Sequence, residues 1–437
     1  MALDEKLRWY GFWMLDGLRG SKVRKYYNQI QNSFKNGTSI AGTEEKIRKL
    51  IRHAVRTTKY YQDFGEDTPL SRLPVVNKDT FRQHYDDFLS QPYKNVKDNR
   101  LMSTSGSTGT PLTMVQNKDK IDHNTAGGIF LSAAGGYYIG MKEAFIRVWV
   151  NNVKKSRMQL LMENMIMMDS SHMDDDGVEQ MLRQIEKKQV KCLVGYSSAL
   201  EQISRYITRT GRDTSGFAVA AIIPISESMA PSLRKNLQAQ FHCPVRAWYS
   251  NEENGIMGIQ DAVEEGYHID TESYYYEILK MDSDEPAKPG ELGRIVITDL
   301  YNYAFPILRY DNGDTAVARK RVKNGRYKLY LSELYGRRSD LIYDCDGKAL
   351  TPYIITNNMW DVKGVKQFRF IQEDAARYTL WLNGDRDEMD VDDIVGRIRP
   401  YLGERAQLTV EYVDEIPVLA SGKRKYIENR WKAGEKR

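Results

Sequence analysis

The sequence predicts a two-domain α/β protein, with a large N-terminal domain of parallel α/β sheets plus a β-subdomain and a small, mobile C-terminal α+β domain. Three observations predict it. Between residues 191 and 250, strand patterns alternate with helix patterns, which is typical of a parallel sheet. From residue 267 to 298 the chain becomes strand-rich, and after Gly336 a shorter unit with its own strand and helix patterns follows.

The parallel-sheet region has five predicted elements. We expect strands at 191–195, 217–224 and 245–249, and helices at 197–206 and 229–241. Ser197 and Ser198 stand at the beginning of the first helix and are expected to cap it. The apolar run 218–223 is typical of a strand buried on both faces.

The flanking regions complete the domain prediction. The first hundred residues are expected to be mostly helical, with an amphipathic helix over 44–56. The β-subdomain is expected to contain strands at 274–280 and 292–298, separated by a stretch with Pro and Gly. The C-terminal unit has strand patterns near 367–372, 377–383 and 406–412 and a helix pattern near 389–400. We therefore predict domains at 1–336 and 337–437.

Composition excludes several classes of protein. The 437 residues are 41% hydrophobic and 28% charged, which is ordinary for a globular chain too long for one compact core. A formal charge of +5, from 64 basic and 59 acidic residues, does not argue for a nucleic-acid partner. The three cysteines form no Cys-x-x-Cys pair, so neither a disulfide framework nor a zinc ribbon is indicated, and a cytoplasmic location is expected.

The N-terminal segment is rich in aromatic residues. It lacks the basic start and uninterrupted apolar core of a signal peptide, and no stretch of the sequence is apolar for the length of a membrane span. The aromatic cluster at 9–13 is expected to pack on a core, with contact to a membrane surface as the alternative.

The acidic run 174–176 is expected to start a helix rather than hold a metal.

The most informative stretch is 102–112, which concentrates hydroxyls and glycines. Glycines let backbone N–H groups approach a polyanion, and Ser and Thr hydroxyls donate further hydrogen bonds to phosphate oxygens. A Walker loop is excluded, because Gly109 is followed by Thr110 and Pro111 instead of Lys and Ser or Thr. A flexible Ser/Gly linker is the alternative. The candidate phosphate-binding residues are Ser103, Thr104, Ser105, Gly106, Ser107, Thr108, Gly109 and Thr110.

The order Ser-Thr-Ser-Gly-Ser-Thr-Gly-Thr-Pro at 103–111 resembles the phosphate-loop motif of the adenylate-forming superfamily, which includes acyl-CoA ligases, peptide-synthetase adenylation domains and luciferases. Further motifs follow in the order of that superfamily, so the resemblance covers the chain from about residue 100 onward. These motifs are 225–229, 249–255, 308–314, 335–342 and 421–425. In pattern the chain is most similar to the phenylacetate-CoA ligase-like branch, particularly its capsular-polysaccharide (CapK-like) members.

The resemblance implies a role for each matching residue. By this resemblance Ser226 and Glu227 lie against adenine, Tyr249, Ser250 and Asn251 lead to the magnesium-binding Glu253, Asp314 binds ribose, Arg337 binds the nucleotide, and Lys423 is the catalytic lysine. The sequence departs from the family pattern at two positions. Glu252 stands where Thr or Ser is usual, and Ser339 stands where the hinge has an aspartate.

These residue types suit the implied reaction, in which ATP and a carboxylic acid form acyl-AMP and pyrophosphate. Both reactants are anionic, so positive charge must be positioned around the phosphates, and Mg²⁺ at Glu253 together with Lys423 would supply it. No general base is needed, since the acid is already ionised. The acceptor of the acyl group stays open between coenzyme A, an amine and a hydroxyl such as that of a sugar.

The acid is expected to bind near Gly135, Gly136, Tyr137 and Tyr196. Two alternatives remain: a catalytically silent nucleotide-binding protein, suggested by Glu252 and Ser339, and a carboxylate-amine ligase that passes through an acyl phosphate. Whether the chain is a monomer or a homodimer is also open.

Overall fold

The structure is a computed structural model that describes residues 2–103, 112–149, 155–227, 229–262, 266–350, 353–359, 362–417, 419 and 424–431. Its helices are α1 (Leu3–Leu18), α2 (Lys22–Asn36), α3 (Ile40–Thr57), α4 (Lys78–Gln83), α5 (Tyr85–Phe88), α6 (Lys118–Ala134), α7 (Arg157–Glu163), α8 (Asp175–Lys187), α9 (Ser197–Thr210), α10 (Pro231–Phe241), α11 (Tyr353–Asn358) and α12 (Val391–Leu402). Within these ranges, no helix is long and apolar enough to cross a membrane.

The strands are short in the first half of the chain and longer in the second. They are β1 (Thr38–Ser39), β2 (Arg100–Ser103), β3 (Thr113–Gln116), β4 (Glu143–Arg147), β5 (Met165–Asp169), β6 (Cys192–Tyr196), β7 (Ala221–Ile225), β8 (Trp248–Asn251), β9 (Gly255–Gln260), β10 (Tyr267–Ile269), β11 (Tyr274–Leu279), β12 (Leu292–Asp299), β13 (Tyr310–Lys323), β14 (Arg326–Arg337), β15 (Ile342–Tyr343), β16 (Ala349–Leu350), β17 (Val365–Gln372), β18 (Arg377–Gly384), β19 (Gln407–Tyr412) and β20 (Ile427–Asn429).

The N-terminal region is helical, as predicted. The amphipathic pattern expected over 44–56 lies in α3, which buries Leu50, Ile51 and Ala54 and is capped by the hydroxyl of Ser39. In α1, the rings of Trp9, Phe12 and Trp13 pack against α2 and α6, which confirms core packing for them. The ring of Tyr10, by contrast, is exposed.

The first sheet is parallel, has the order β5-β4-β6-β7 and lies in the part of the chain before residue 226. Strands β6 and β7 and helices α9 and α10 confirm four of the five elements predicted for this region. The prediction of a parallel strand over 245–249 is wrong. Val245 makes only an isolated parallel bridge to Ile222, and the chain then enters β8, which pairs with β9 in the antiparallel sheet.

The beginning of α9 also differs from the prediction, because Ser197 and Ser198 do not cap it. Tyr196 is the N-cap residue, so both serines lie inside the first turn. Their hydroxyls instead donate to Glu227: that of Ser197 to its carbonyl oxygen at 3.1 Å, and that of Ser198 to its carboxylate at 3.1 Å. The expected helix start at Asp174 is confirmed, since its side chain caps α8.

A second sheet, of order β11-β12-β13-β14-β10-β9-β8 with β1 against β14, lies beside the parallel sheet. The predicted strands at 274–280 and 292–298 are β11 and β12. Strands β13 and β14 form a long hairpin whose turn is Asn324 and Gly325, both with positive φ, the combination that a tight two-residue hairpin turn requires. This hairpin supports most of the candidate site.

The C-terminal unit has its own apolar core, formed by residues between Ile342 and Ile427. Its sheet has the order β19-β18-β17-β20, and α12 packs on it. The strands and the helix predicted for this unit are confirmed within two residues at most ends. The domain boundary at 336 and 337 stays a prediction.

Candidate active site

Asp314 is the centre of a buried hydrogen-bonded cluster on β13. Its Oδ2 accepts hydrogen bonds from the hydroxyl of Tyr249 at 3.0 Å and from the side-chain amide of Asn312 at 3.1 Å. On the neighbouring strand, Nε of Arg337 lies 3.3 Å from Oδ1 of Asp314, and Nη1 of Arg337 donates to the carbonyl oxygen of Asn312 at 2.6 Å. Three predicted nucleotide-binding residues, Tyr249, Asp314 and Arg337, are thus in contact.

Glu253 lies beside this cluster, and its carboxylate is buried with a cation. Nζ of Lys78 is 2.7 Å from Oε1 of Glu253, and the hydroxyl of Tyr310 donates to the same oxygen at 3.0 Å. Burial raises the pKa of Glu253, but the charge and hydrogen bond of Lys78, together with the hydrogen bonds from the backbone and from Tyr310, lower it more. The pKa of Glu253 therefore lies below its ordinary value of 4.5. The charges of Glu253 and Asp314 both act on Tyr310 and on Arg337, so the two carboxylates belong to one site.

Sequence reasoning missed Lys78 and Tyr310. Lys78 is the first residue of α4, whose beginning is capped by Asn77, and this short helix lies far from Glu253 in the chain. Tyr310 was visible within the motif 308–314, but nothing in the sequence shows that its hydroxyl reaches Glu253. Both contacts form only when α4 and β13 pack against the turn after β8 that contains Glu253, so no local pattern could have revealed them.

A second buried network supports the backbone after Glu253. Nζ of Lys120 donates to the carbonyl oxygen of Asn254 at 2.9 Å and lies 2.5 Å from Oδ2 of Asp299. The hydroxyl of Tyr274 donates to the same carbonyl at 2.5 Å. Burial lowers the pKa of Lys120, an effect that the charge of Asp299 opposes. Buried polar groups of α6 and β11 therefore fix the backbone at Asn254, the residue after Glu253.

The predicted adenine segment follows β7. Ser226 is exposed and has a positive φ of 67°, a conformation that is uncommon for residues other than glycine. The carboxylate of Glu227 accepts hydrogen bonds from the backbone and hydroxyl of Ser198, at 2.8 and 3.1 Å, and from the backbone N–H of Arg424 at 3.2 Å. The Glu227 side chain therefore joins α9 to the C-terminal unit in this structure.

Several predicted residues lie outside the described part of the chain, namely Thr104 to Thr110 of the phosphate loop and the catalytic candidate Lys423. The residues next to them are placed. Ser103 ends β2 and pairs with Thr113 of β3, and the side chain of Gln116 at the end of β3 donates to the carbonyl oxygen of Glu253 at 3.4 Å. The loop is thus bounded by a hairpin that reaches Glu253.

The other two residues of the aromatic-to-glutamate motif shape its turn. Ser250 and Asn251 end β8 beside β9, and the side-chain oxygen of Asn251 accepts the backbone N–H of Asn254 at 2.7 Å. Gly255 follows with a φ of 106°, which a side chain would strain. This turn directs Glu253 toward β13.

The residues expected to form the acid pocket do not lie together. A Cβ atom added at Gly136 would lie 3.0 Å from the Cβ of Ala221, at the start of β7. A Cβ atom added at Gly135 would lie 3.1 Å from the side chain of Ile259. The Tyr137 hydroxyl is bonded to Glu143, at the start of β4. Tyr196, however, ends β6. All parallel strands begin at one end of the sheet and finish at the opposite end. Tyr196, at the carboxyl end, is therefore separated from Gly135, Gly136 and Tyr137, which lie at the amino end.

Arg147 lies at the same carboxyl end of the parallel sheet as Tyr196, and the sequence analysis did not identify it. The guanidinium of Arg147, at the end of β4, is 5.8 Å from the ring centre of Tyr196 and 5.6 Å from that of Trp149. Ligands of open parallel sheets bind at the carboxyl ends of the strands, which favours Tyr196 and Arg147 over the glycines as pocket residues.

The chemistry of Glu253 fits a magnesium ion that arrives with a nucleotide. Its buried carboxylate already binds one cationic group, the ammonium of Lys78. Within the described residues, no group of three or more His, Cys, Asp or Glu side chains is placed to hold a metal by itself. Mg²⁺ commonly combines one or two carboxylates with phosphate oxygens and water, so a single buried glutamate suits it.

The fold is that of the adenylate-forming CoA ligases. The crystal structure of 2-hydroxyisobutyryl-CoA ligase in the postadenylation state, in complex with R3-HIB-AMP, matches with a TM-score of 0.70 at 14% identity, covering 89% of each chain. The same ligase in complex with 2-HIB-AMP and CoA in the thioesterification state gives a TM-score of 0.57 at 14% identity, covering 90% of each chain.

Within this class, the chain is homologous to CapK and to the phenylacetate-CoA ligases. Protein CapK of Staphylococcus aureus is 22% identical over 438 residues, which cover 94% of this chain and 93% of that protein. Phenylacetate-coenzyme A ligase of Escherichia coli (strain K12) is 22% identical over 330 residues, which cover 68% and 71%. Residues 342–430 match the CapK C-terminal domain. The resemblance predicted from the motifs is confirmed, and these findings support an adenylate-forming ligase.

Proposed function

We propose that this chain uses ATP to convert a carboxylic acid to acyl-AMP, with release of pyrophosphate, and then transfers the acyl group to an acceptor. The observation that supports this most directly is the contact of Tyr249, Asp314 and Arg337 beside the buried Glu253. These residues come from separate motifs of the chain, and the site has the donors and the acceptors that a nucleotide requires.

In the proposed reaction, Asp314 accepts hydrogen bonds from the ribose hydroxyls. A carboxylate can accept about four hydrogen bonds, so the contacts with Tyr249 and Asn312 leave capacity for a sugar. Arg337 orients Asp314 and adds positive charge at the same edge. Fixing the sugar in this way places the α-phosphate for attack by the acid, which lowers the entropic part of the barrier.

Residues around Glu253 would balance the negative charge of the phosphates and of the acid. Glu253 would hold Mg²⁺, which would neutralise phosphate charge when bound. Lys78 lies at the same carboxylate and can turn its ammonium toward phosphate oxygens. We assign the bridging of the acid and the α-phosphate to Lys423, next to Arg424, which contacts Glu227 at the end of the parallel sheet.

The acid is proposed to enter at the carboxyl ends of β4 and β6, next to Tyr196 and Arg147. Tyr196 supplies an apolar wall with a hydroxyl, and Arg147 supplies a cation that attracts anionic acids. For the acceptor, we favour coenzyme A, since the phenylacetate-CoA ligases and 2-hydroxyisobutyryl-CoA ligase use it by name. A role in surface-polysaccharide synthesis is suggested by the CapK relative.

The test is to incubate the purified chain with ATP, Mg²⁺ and a panel of aryl, acyl, amino and uronic acids, and to measure AMP and pyrophosphate. Acid-dependent pyrophosphate release that disappears in Lys423→Ala is the expected result. Formation of ADP and phosphate would instead identify an acyl-phosphate ligase. Nucleotide binding without turnover on any acid would indicate a silent binding protein. Adding coenzyme A to the active acid then tests the acceptor.

A further inference from the structure

The solvent-facing side of α1 is apolar. The helix buries Glu5, Trp13 and Asp16 against the rest of the chain. Its opposite side consists of large apolar side chains between 64% and 79% exposed, which we call the α1 strip: Leu3, Leu7, Tyr10, Met14 and Leu18. A helix with apolar side chains on both sides is usually covered on both, so the strip needs a partner.

The spacing of the strip identifies the kind of partner. Leu3, Leu7, Tyr10 and Met14 are separated by four, three and four residues, which is the heptad pattern of a helix that packs lengthwise against another helix. A helix on a membrane surface can have the same spacing, but its opposite face is strongly charged, whereas the opposite face of α1 packs Phe12 and Trp13 against the chain. A second helix is therefore the partner that fits the strip.

The apolar surface extends beyond α1. Nη1 of Arg8 donates to the carbonyl oxygen of Leu161 at 2.5 Å, which places α7 beside α1. On α7, Met158, Leu161 and Met162 are as exposed as the strip itself. The strip alone has five such side chains, and if each exposes on the order of 100 Å², two copies bury about 1,000 Å² in total, the area that a specific interface needs.

We propose that the α1 strip is the interface of a symmetric homodimer in which the two α1 helices pack antiparallel. A two-fold axis between Tyr10 and Gly11 places Leu3 opposite Leu18 of the partner subunit and Leu7 opposite Met14 of the partner subunit. The ring of Tyr10 then lies over Gly11 of the partner subunit. A Cβ at Gly11 would meet nothing within 4 Å, so the surface there is open to receive a ring.

The charges at the two ends of α1 agree with this arrangement. Asp4 lies in the first turn, Arg19 follows the last residue, and both are exposed. Antiparallel packing brings Asp4 next to Arg19 of the partner subunit, and it also opposes the two helix dipoles. This pairing of opposite charges at both ends of the helix favours a second copy of the chain as the occupant of the strip.

The first test is sedimentation velocity of the full chain over a wide concentration range. We expect a dimer for the wild type and a monomer for Leu7→Lys/Met14→Lys, whose fold is checked by circular dichroism and thermal unfolding. Val322→Lys, which places the same charge at an exposed apolar position on β13, is the matched control and should remain dimeric. A monomeric wild type, or a dimer unaffected by the double substitution, would overturn the proposal.

A charge exchange tests the antiparallel orientation. Asp4→Arg should weaken the dimer several-fold, because two equivalent ion pairs become repulsive, and Asp4→Arg/Arg19→Asp should restore it. Failure of the exchange to restore the dimer would reject this orientation. Co-sedimentation with phosphatidylcholine–phosphatidylglycerol vesicles gives the competing outcome: binding by a monomeric wild type that Leu7→Lys/Met14→Lys abolishes would assign the strip to a membrane surface instead.

Discussion

Nε of Arg337 lies 3.3 Å from Oδ1 of Asp314, directly across the ladder between β13 and β14. Arg337 is also the last residue of β14, and the short turn of 338–340 leads from it into the C-terminal unit. The next residue, Arg338, reaches Asp311 at 3.2 Å. Two adjacent arginines therefore bind two nearby carboxylates. Arg337 contacts Asp314 in the proposed ribose site, and Arg338 anchors the start of the connection to the C-terminal unit.

The first prediction concerns Asp314. Replacing it with Ala removes the proposed acceptor for ribose and leaves Arg337 without its carboxylate, so we expect the KM for ATP to rise about 10- to 100-fold, the loss of one or two charge-assisted hydrogen bonds. Acid-dependent ATP–pyrophosphate exchange measures this. Tyr249→Phe, which removes one donor to Asp314 and no charge, should have a smaller effect. An unchanged KM in Asp314→Ala would contradict the assignment.

How far the sequence predicts this site depends on how local each feature is. Asp314 and Arg337 were named as candidates because the runs 308–314 and 335–342 resemble motifs of the adenylate-forming superfamily, not because of their residue types alone. The contact of Lys78 with Glu253 was not, because it joins a short N-terminal helix to a turn after β8. The predicted acid pocket was wrong for the same reason. Helix α6 ends near the amino ends of the parallel strands, and the sequence alone does not give the direction of this helix. Strands β13 and β14 were likewise absent from the predicted elements.

The second prediction concerns the buried pair of Lys78 and Glu253. Lys78→Met leaves a buried carboxylate without its cation, so we expect the free energy of unfolding to fall by about 1–3 kcal/mol, less than for a fully buried pair because Lys78 is partly exposed. Adding Glu253→Gln to this variant removes the unpaired charge and should recover most of the loss. Urea unfolding of the wild type, both single variants and the double variant measures the coupling. Additive losses would show that the two side chains do not depend on each other.

The same pair predicts a response to acid. Because the pKa of Glu253 is lowered in the folded chain, its contribution to stability is present above pH 4.5 and is lost as the pH falls below that value. Glu253→Gln has no such proton to bind, so its stability should change less over this acid range. The check is thermal unfolding at a series of pH values, and identical profiles for both proteins would argue against the lowered pKa.

The third prediction concerns Glu143, which the reaction does not use. Burial raises its pKa to about 7, and the hydrogen bond from Tyr137 opposes this only in part. A carboxyl whose pKa is raised on folding stabilises the chain below its unfolded pKa of 4.5 and loses that contribution as the pH rises through about 7. Glu143→Gln keeps the hydrogen-bond acceptor but cannot ionise. At pH 8 it should therefore be more stable than the wild type, by about 1–3 kcal/mol relative to their difference at pH 4.

Chemical unfolding at both pH values tests the Glu143 prediction. The matched control is Glu404→Gln, which makes the same substitution at an exposed carboxylate of the C-terminal unit, away from Glu143. If Glu143→Gln and the wild type differ by the same amount at pH 4 and pH 8, Glu143 ionises normally in the folded chain.

The last prediction concerns the contacts that hold the C-terminal unit. The hydroxyl of Tyr426 donates to Oε2 of Glu201 on α9 at 2.7 Å, close to the contact between Arg424 and Glu227. Removing this hydroxyl in Tyr426→Phe weakens the present arrangement, in which Arg424, the neighbour of the proposed catalytic Lys423, contacts Glu227. Glu201 keeps Arg205 as a partner at 3.0 Å, so α9 itself should be unaffected. We therefore expect acyl-AMP formation to slow by about 2- to 5-fold, the effect of one lost hydrogen bond.

Single-turnover experiments separate the two half-reactions in this variant. If the contact stabilises only the adenylating arrangement, transfer of the acyl group from preformed acyl-AMP should be unchanged or faster, because the unit leaves its present position more easily. Tyr401→Phe removes a hydroxyl from the exposed side of α12 and should alter neither step. Equal slowing of both half-reactions in Tyr426→Phe would mean that the contact supports the fold of the C-terminal unit rather than its position, and Lys423 would then need another means of alignment.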